Sequence, residues 1–138
     1  MRNACLPVLL LLSFAMPVCA QVRPKGSVNG HKQEGIQYGT ASYYSNKFQG
    51  RPTANGELYD KNKMTCAHNS LPLGTWIKVT NLRNRKSVIV RVTDRLHHRN
   101  KRVVDLSGIA ARKLGYLKRG LTRVKVEVVD QNAVPASK

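Results

Sequence analysis

Apolar and polar residues alternate along two stretches of this chain. From Thr75 to Asn81, Ile77 and Val79 alternate with Trp76, Lys78 and Thr80; from Arg123 to Val129, Val124, Val126 and Val128 alternate with Arg123, Lys125 and Glu127. A period of two belongs to a strand with one face in a core and the other in water. Ser87 to Thr93 is more continuously apolar and reads as a central strand. Between two of these strands, Asn81-Leu82-Arg83-Asn84-Arg85 reads as a hairpin turn, although its Asn-Arg pair lacks the usual glycine. One helix is expected, with Leu106, Ile109, Ala110 and Leu114 on one face, Ser107 to cap its start and Gly115 to end it. Several short strands with one short helix suit a small closed barrel, mainly β, with no free sheet edge.

The ends of the chain carry different patterns. Met1-Arg2-Asn3 is a short positive start, and Ala4 to Met16 is an apolar run too short for a membrane span. Val18-Cys19-Ala20 suits signal peptidase, so residues 1–20 read as a signal peptide cleaved before Gln21, and the protein as exported to the periplasm or cell envelope. Cys19 gives a competing reading as the lipidated first residue of an outer-membrane lipoprotein, but Met16-Pro17-Val18 is a poor lipid box. Residues 21–35 form a flexible basic leader with almost nothing apolar; residues 36–130 form the barrel domain, and residues 131–138 a disordered tail. Beyond the signal peptide only Cys66 remains, which excludes an internal disulfide and suits a small buried apolar residue.

Charge narrows the partners. The chain holds 24 Lys and Arg against 7 Asp and Glu, a formal net charge of +17. Such a field gathers polyanions. For an exported protein the polyanion is an anionic cell-wall or membrane surface, and no nucleic acid is expected. The protein reads as a monomer. His97 and His98 suggest metal at first sight, but adjacent histidines point opposite ways and no Cys or carboxylate completes a chelating set, so no metal site is expected.

So few acidic residues make a short list of candidates, in which Glu57, Asp94 and Asp105 stand out. Counting by twos, Asp94 shares a face with Val88, Val90 and Val92, and Arg91 takes the other. Emergence from the apolar side of a strand would favour the protonated form that a general acid needs near neutral pH. Asp105 precedes the expected helix and reads as a structural hydrogen-bonding group.

An ordered set of short motifs runs through the same region: Gly39-Thr40-Ala41-Ser42-Tyr43-Tyr44, Thr53-Ala54-Asn55-Gly56-Glu57, Thr65-Cys66-Ala67-His68, Leu71-Pro72-Leu73-Gly74-Thr75, Val79-Thr80-Asn81, Val90-Arg91-Val92-Thr93-Asp94-Arg95 and Asp105-Leu106-Ser107. In this order and spacing the set resembles the rare lipoprotein A family. That resemblance implies a six-stranded double-psi β-barrel with one or two short helices, and a lytic transglycosylase that cleaves peptidoglycan glycan strands with formation of anhydro-muramic ends. It implies Asp94, Glu57 and His68 as catalytic residues, Ser42, Tyr44, Thr53 and Asn55 as substrate-binding residues, and no cofactor. One departure stands out: the family usually follows the Asp-Arg pair with Gly-Pro-Phe, and here the residues are Leu96-His97-His98. This altered loop keeps open a second reading, a non-catalytic peptidoglycan-binding or wall-loosening barrel. A secreted barrel that binds another protein is a third.

Overall fold

The structure is a computed structural model that describes residues 35–134 and residue 136. The segment expected to be a signal peptide, 1–20, and all of the expected leader except residue 35 lie outside the described residues. Six strands, β1 Gln37–Tyr43, β2 Thr65–Ala67, β3 Trp76–Asn81, β4 Ser87–Asp94, β5 Val104–Leu106 and β6 Thr122–Val128, close into a barrel in the order β1-β5-β2-β4-β3-β6. The β1–β5 and β2–β4 ladders are parallel and the other four antiparallel. The alternation read from sequence is the inward set except at the end of β6, where Val128 is 45% exposed: Ile77 and Val79 of β3, Val88, Val90 and Val92 of β4, and Val124 and Val126 of β6 are buried together with Ala41, Cys66, Val104 and Leu106. Cys66 is a free, fully buried thiol whose ionisation burial pushes far up, in keeping with an apolar role.

The interior is narrow enough to demand glycine in β1. A Cβ on Gly39 would lie 2.9 Å from the Cβ of Val103, so the chain entering β5 approaches β1 only because no side chain intervenes.

The helix, α1, runs from Gly108 to Leu114 and is shorter at its start than expected, because Leu106 belongs to β5. Its buried face is Ala110, Ala111 and Leu114. Ser107 does not cap it: its hydroxyl is buried without a partner, and the first amides are satisfied from the β1–β2 loop. There the Ile109 N–H donates to Lys61 O, and the Gly108 N–H donates to the Tyr59 hydroxyl. At the other end, the side chains of Asn81 and Asn84 each donate to Leu114 O, while Gly115 turns left-handed as expected.

The β3–β4 turn works without glycine. Asn81 Oδ1 accepts from the Arg83 N–H and from the Thr122 hydroxyl, the Arg85 N–H donates to Asn81 O, and Arg85 itself takes the left-handed φ of 62°. Past β6, the stretch expected to be patternless opens with a 3-10 turn, Gln131–Ala133, in which the Asp130 carboxylate accepts from the Asn132 N–H. Among the described residues no helix is long and apolar enough to cross a membrane.

Gly115→Ala tests the junction of helix and turn. At φ 82° the new Cβ would fall 2.7 Å from Asn84 Nδ2. The expected loss is about 1–3 kcal/mol in chemical denaturation, the range for a non-glycine residue forced left-handed.

Candidate functional site

The site depends on one irregularity in β4. Thr65 pairs with Arg91 and Cys66 with Val92, but Ala67 pairs with Asp94, so Thr93 is an extra residue in the ladder. Registered neighbours share a face, and the shift therefore moves Asp94 off the face of Val88, Val90 and Val92 and onto the outer face, with Arg91. Counting by twos had placed Asp94 and Arg91 on opposite faces; the bulge brings them to the same one. On its other side Ala67 pairs with Asp105, which in turn pairs with Ser42. Ser42, Asp105, Ala67 and Asp94 thus form one row across the outside of four adjacent strands.

Asp94 is part-buried in a fixed set of donors. The Tyr44 hydroxyl donates to Oδ2 at 2.7 Å, and the Ala54 N–H at 2.9 Å and the Arg95 N–H at 2.8 Å donate to Oδ1. Tyr44 stacks on Tyr59, with ring centroids 4.4 Å apart, and meets Phe48 edge-on. Burial, and then the carboxylate it faces, pushes the Tyr44 phenol far up, so it remains a donor at any working pH.

The Ala54 amide comes from a small hairpin closed by a bridge between Pro52 and Leu58. Thr53 and Asn55 shape this hairpin from within. The Thr53 hydroxyl lies 2.6 Å from Asn55 Oδ1 and 2.8 Å from Glu57 O, Asn55 Oδ1 accepts from the Glu57 N–H, and the Asn55 N–H reaches Thr93 O in the bulge. The hairpin and the bulge thus fix each other. Glu57 stands at the rim with its side chain 45% exposed, bridged to Arg91 at 2.7 Å. The Arg91 guanidinium holds its carboxyl below the usual glutamate range, so Glu57 is an anion at neutral pH. Trp76, the β3 partner of Arg91, continues the same outer face.

His68 is placed beneath the site, not in its mouth. It is 2% exposed; Nδ1 accepts from the Ser70 and Leu71 N–H groups, and Nε2 faces Gln37 Oε1 at 3.2 Å, which puts the ring proton on Nε2. Its backbone acts on the site directly: the His68 N–H donates to Asp94 O, and His68 O, with Leu71 O, accepts from Arg95 Nη1. Ser42, also buried, donates to Asp105 and not to Asp94. Asp105 further accepts from Arg102 Nε at 2.9 Å and Nη2 at 3.1 Å. Sequence reasoning passed over Arg91, Arg102 and the Ala54 amide. The alternation of β4 hid Arg91, and nothing local marks an amide as a ligand.

In the altered loop, Leu96 turns inward and its N–H donates to Asn69 Oδ1, while His97 and His98 stay exposed and, instead of pointing opposite ways, bring their rings to 4.2 Å from each other. Among the described residues no three His, Cys, Asp or Glu side chains gather as a metal site would require.

Residues 36–126 match the family described as lytic transglycolase. The endolytic peptidoglycan transglycosylase RlpA of Pseudomonas aeruginosa strain UCBPP-PA14 is 59% identical over 92 residues, 67% of this chain and 27% of that protein. The protein of the same name from Neisseria meningitidis serogroup A is 47% identical over 96 residues, 70% of this chain and 40% of that one. The chain therefore spans between about a quarter and two fifths of the length of these relatives. Among solved structures, the Streptomyces papain inhibitor (TM-score 0.58, 22% identity, 72% of this chain and 98% of that one) has the same fold. So does the apo expansin of Clavibacter michiganensis (TM-score 0.56, 27% identity, 73% and 54%).

The Glu57–Arg91 pair can be tested by titration. In Arg91→Gln the guanidinium that favours the anion is gone, so the Glu57 midpoint followed by NMR should rise toward the ordinary glutamate value of about 4.3. An unmoved midpoint would show that Arg91 does not set the charge at the rim.

Proposed function

The chain belongs to the lytic transglycolase family of double-psi β-barrels, and on that premise we propose that it cleaves the glycan strands of peptidoglycan by transglycosylation without water. The observation that carries this reading is the Asp94 carboxyl, turned outward by the β4 bulge and held by one phenol and two backbone amides beside an anionic rim. Protonated Asp94 gives its proton to the glycosidic oxygen as the bond to the muramic acid anomeric carbon breaks. The C6 hydroxyl of that sugar closes on the same carbon and returns its proton to the Asp94 carboxylate, leaving an anhydro end. One carboxyl acting as acid and then as base suffices, whereas most hydrolytic glycosidases need two at a set separation.

Glu57, held ionised by Arg91, stabilises the positive charge that develops on the sugar. Tyr44 orients the Asp94 carboxyl, and Thr53 and Asn55 hold the hairpin whose amide does the same. His68 is a positioning residue that fixes Asp94 and Arg95 through its backbone, and Ser42 acts through Asp105. No cofactor enters this scheme. Export through the signal peptide read at residues 1–20 brings the protein to its substrate, and its basic surface favours the anionic wall.

The altered loop supports a second reading, a barrel that binds glycan without cleaving it, since His97 and His98 stand exposed just beyond Asp94 and Arg95. Incubation with purified glycan strands separates the two. Turnover releases anhydro-ended fragments, one water lighter by mass than hydrolysis products; binding without such fragments selects the second reading. Asp94→Asn keeps the size and removes the titrating proton, so release should fall by roughly 10²-fold or more in a folded protein. Asp105→Asn weakens the pairing with Arg102 and should mainly lower the melting temperature. Parental turnover in folded Asp94→Asn would remove Asp94 from the chemistry.

A further inference from the structure

A concavity of about 430 Å³ lies away from this chemistry, lined chiefly by Thr40, Leu82, Arg83, Arg119, Leu121 and Arg123. It is built on β1, the start of β6 and the β3–β4 turn. Asp94 closes β4, whereas Leu82 and Arg83 come before that strand begins. At about 3.3 Å per residue the strand alone separates the two places by roughly 20 Å.

Its lining joins cationic and exposed apolar side chains. Among the described residues the ion pairs engage Arg91, Arg102 and Lys125, none of them here, and no acidic residue lines the concavity. Arg83, Arg119 and Arg123 therefore present unneutralised guanidinium groups. Between them Leu82 and Leu121 are 44% and 51% exposed. The walls are fixed in advance: the Leu82 N–H donates to Arg123 O and the Arg83 N–H to Asn81 Oδ1.

The chemistry of an occupant follows from the lining. Guanidinium forks match carboxylates in paired hydrogen bonds, and apolar walls accept a large apolar side chain. The leucines line a recess, so they receive an apolar group; a surface that enters a bilayer projects its own. The volume suits a short segment and not a whole domain face. The barrel is closed, so side chains and not a free strand edge must read the segment.

We infer that this concavity docks an acidic peptide segment of a partner protein, seating one large apolar side chain between Leu82 and Leu121 with flanking carboxylates on Arg83, Arg119 and Arg123. Docking there is independent of glycan cleavage at Asp94.

The test uses the whole chain, fluorescence anisotropy at physiological salt and a labelled peptide of alternating aspartate and leucine. Combining Arg83→Ala, Arg119→Ala and Arg123→Ala should weaken binding at least about 10-fold, as should replacing the peptide's leucines by glycine. Combining Lys47→Ala, Lys63→Ala and Lys101→Ala removes as many cations elsewhere and should change affinity by no more than about twofold, since salt screens the general field. Melting curves establish that both triple variants fold; should the arginine triple fail, the single change Arg119→Glu on an exposed turn carries the comparison. Equal weakening by both sets, or full binding by the arginine variant, would overturn the inference. Displacement of the peptide by phosphatidylglycerol vesicles, whose binding is also lost in the arginine variant, would overturn it in favour of a lipid headgroup.

Discussion

The extra residue in β4 is the constraint on which the site rests. A regular ladder would direct Asp94 inward among Val88, Val90 and Val92, where a carboxyl without donors costs several kcal/mol to bury. With Thr93 inserted, Ala67 pairs with Asp94, and the carboxyl faces outward into three donors. The bulge holds because both of its neighbours are committed. β2 is only three residues long and paired on both sides, and the closed barrel leaves it no edge along which to slide. The Asn55 N–H bonds Thr93 O, so the loop that covers the site also stabilises the irregularity that creates it.

Electrostatics divides the acidic groups of this region by role. Glu57 and Asp105 each face an arginine, Arg91 and Arg102 respectively. Asp94 forms no salt bridge among the described residues; a phenol and backbone amides hold it. At Asp94 the Arg95 side chain is drawn away to the carbonyls of His68 and Leu71 while its amide serves the carboxyl. The arginine next in sequence thus orients Asp94 without pairing with it. Neutral groups alone fix the direction of this carboxyl, whereas Glu57 and Asp105 are each fixed by a guanidinium.

The barrel also separates its surfaces. The row from Ser42 to Asp94 runs outside β1, β5, β2 and β4, while the recess of free arginines and exposed leucines lies on β1, β6 and the β3–β4 turn. Asn81 and Asn84 tie that turn to the end of α1. The same contacts that cap the helix therefore give the recess a rigid wall.

By itself the sequence determined the inward set of β3 and β4 and most of that of β6, since alternation of Val and Ile with polar residues leaves a strand one way to face a core; only Val128, at the end of β6, departs from it and is 45% exposed. It determined the helix end at Gly115, where only glycine takes the left-handed turn without strain. The short strands β2 and β5 carry too few residues for a period to show, so Leu106 was read into the helix. Local pattern also assigned Ser107 as a cap, whereas Lys61 O and the Tyr59 hydroxyl satisfy the helix amides from a distant loop. What only the tertiary structure decided is the direction in which Asp94 points, the burial of His68 and the engagement of Ser42 by Asp105. Each depends on register between strands far apart in sequence, and one inserted residue reverses every side chain beyond it.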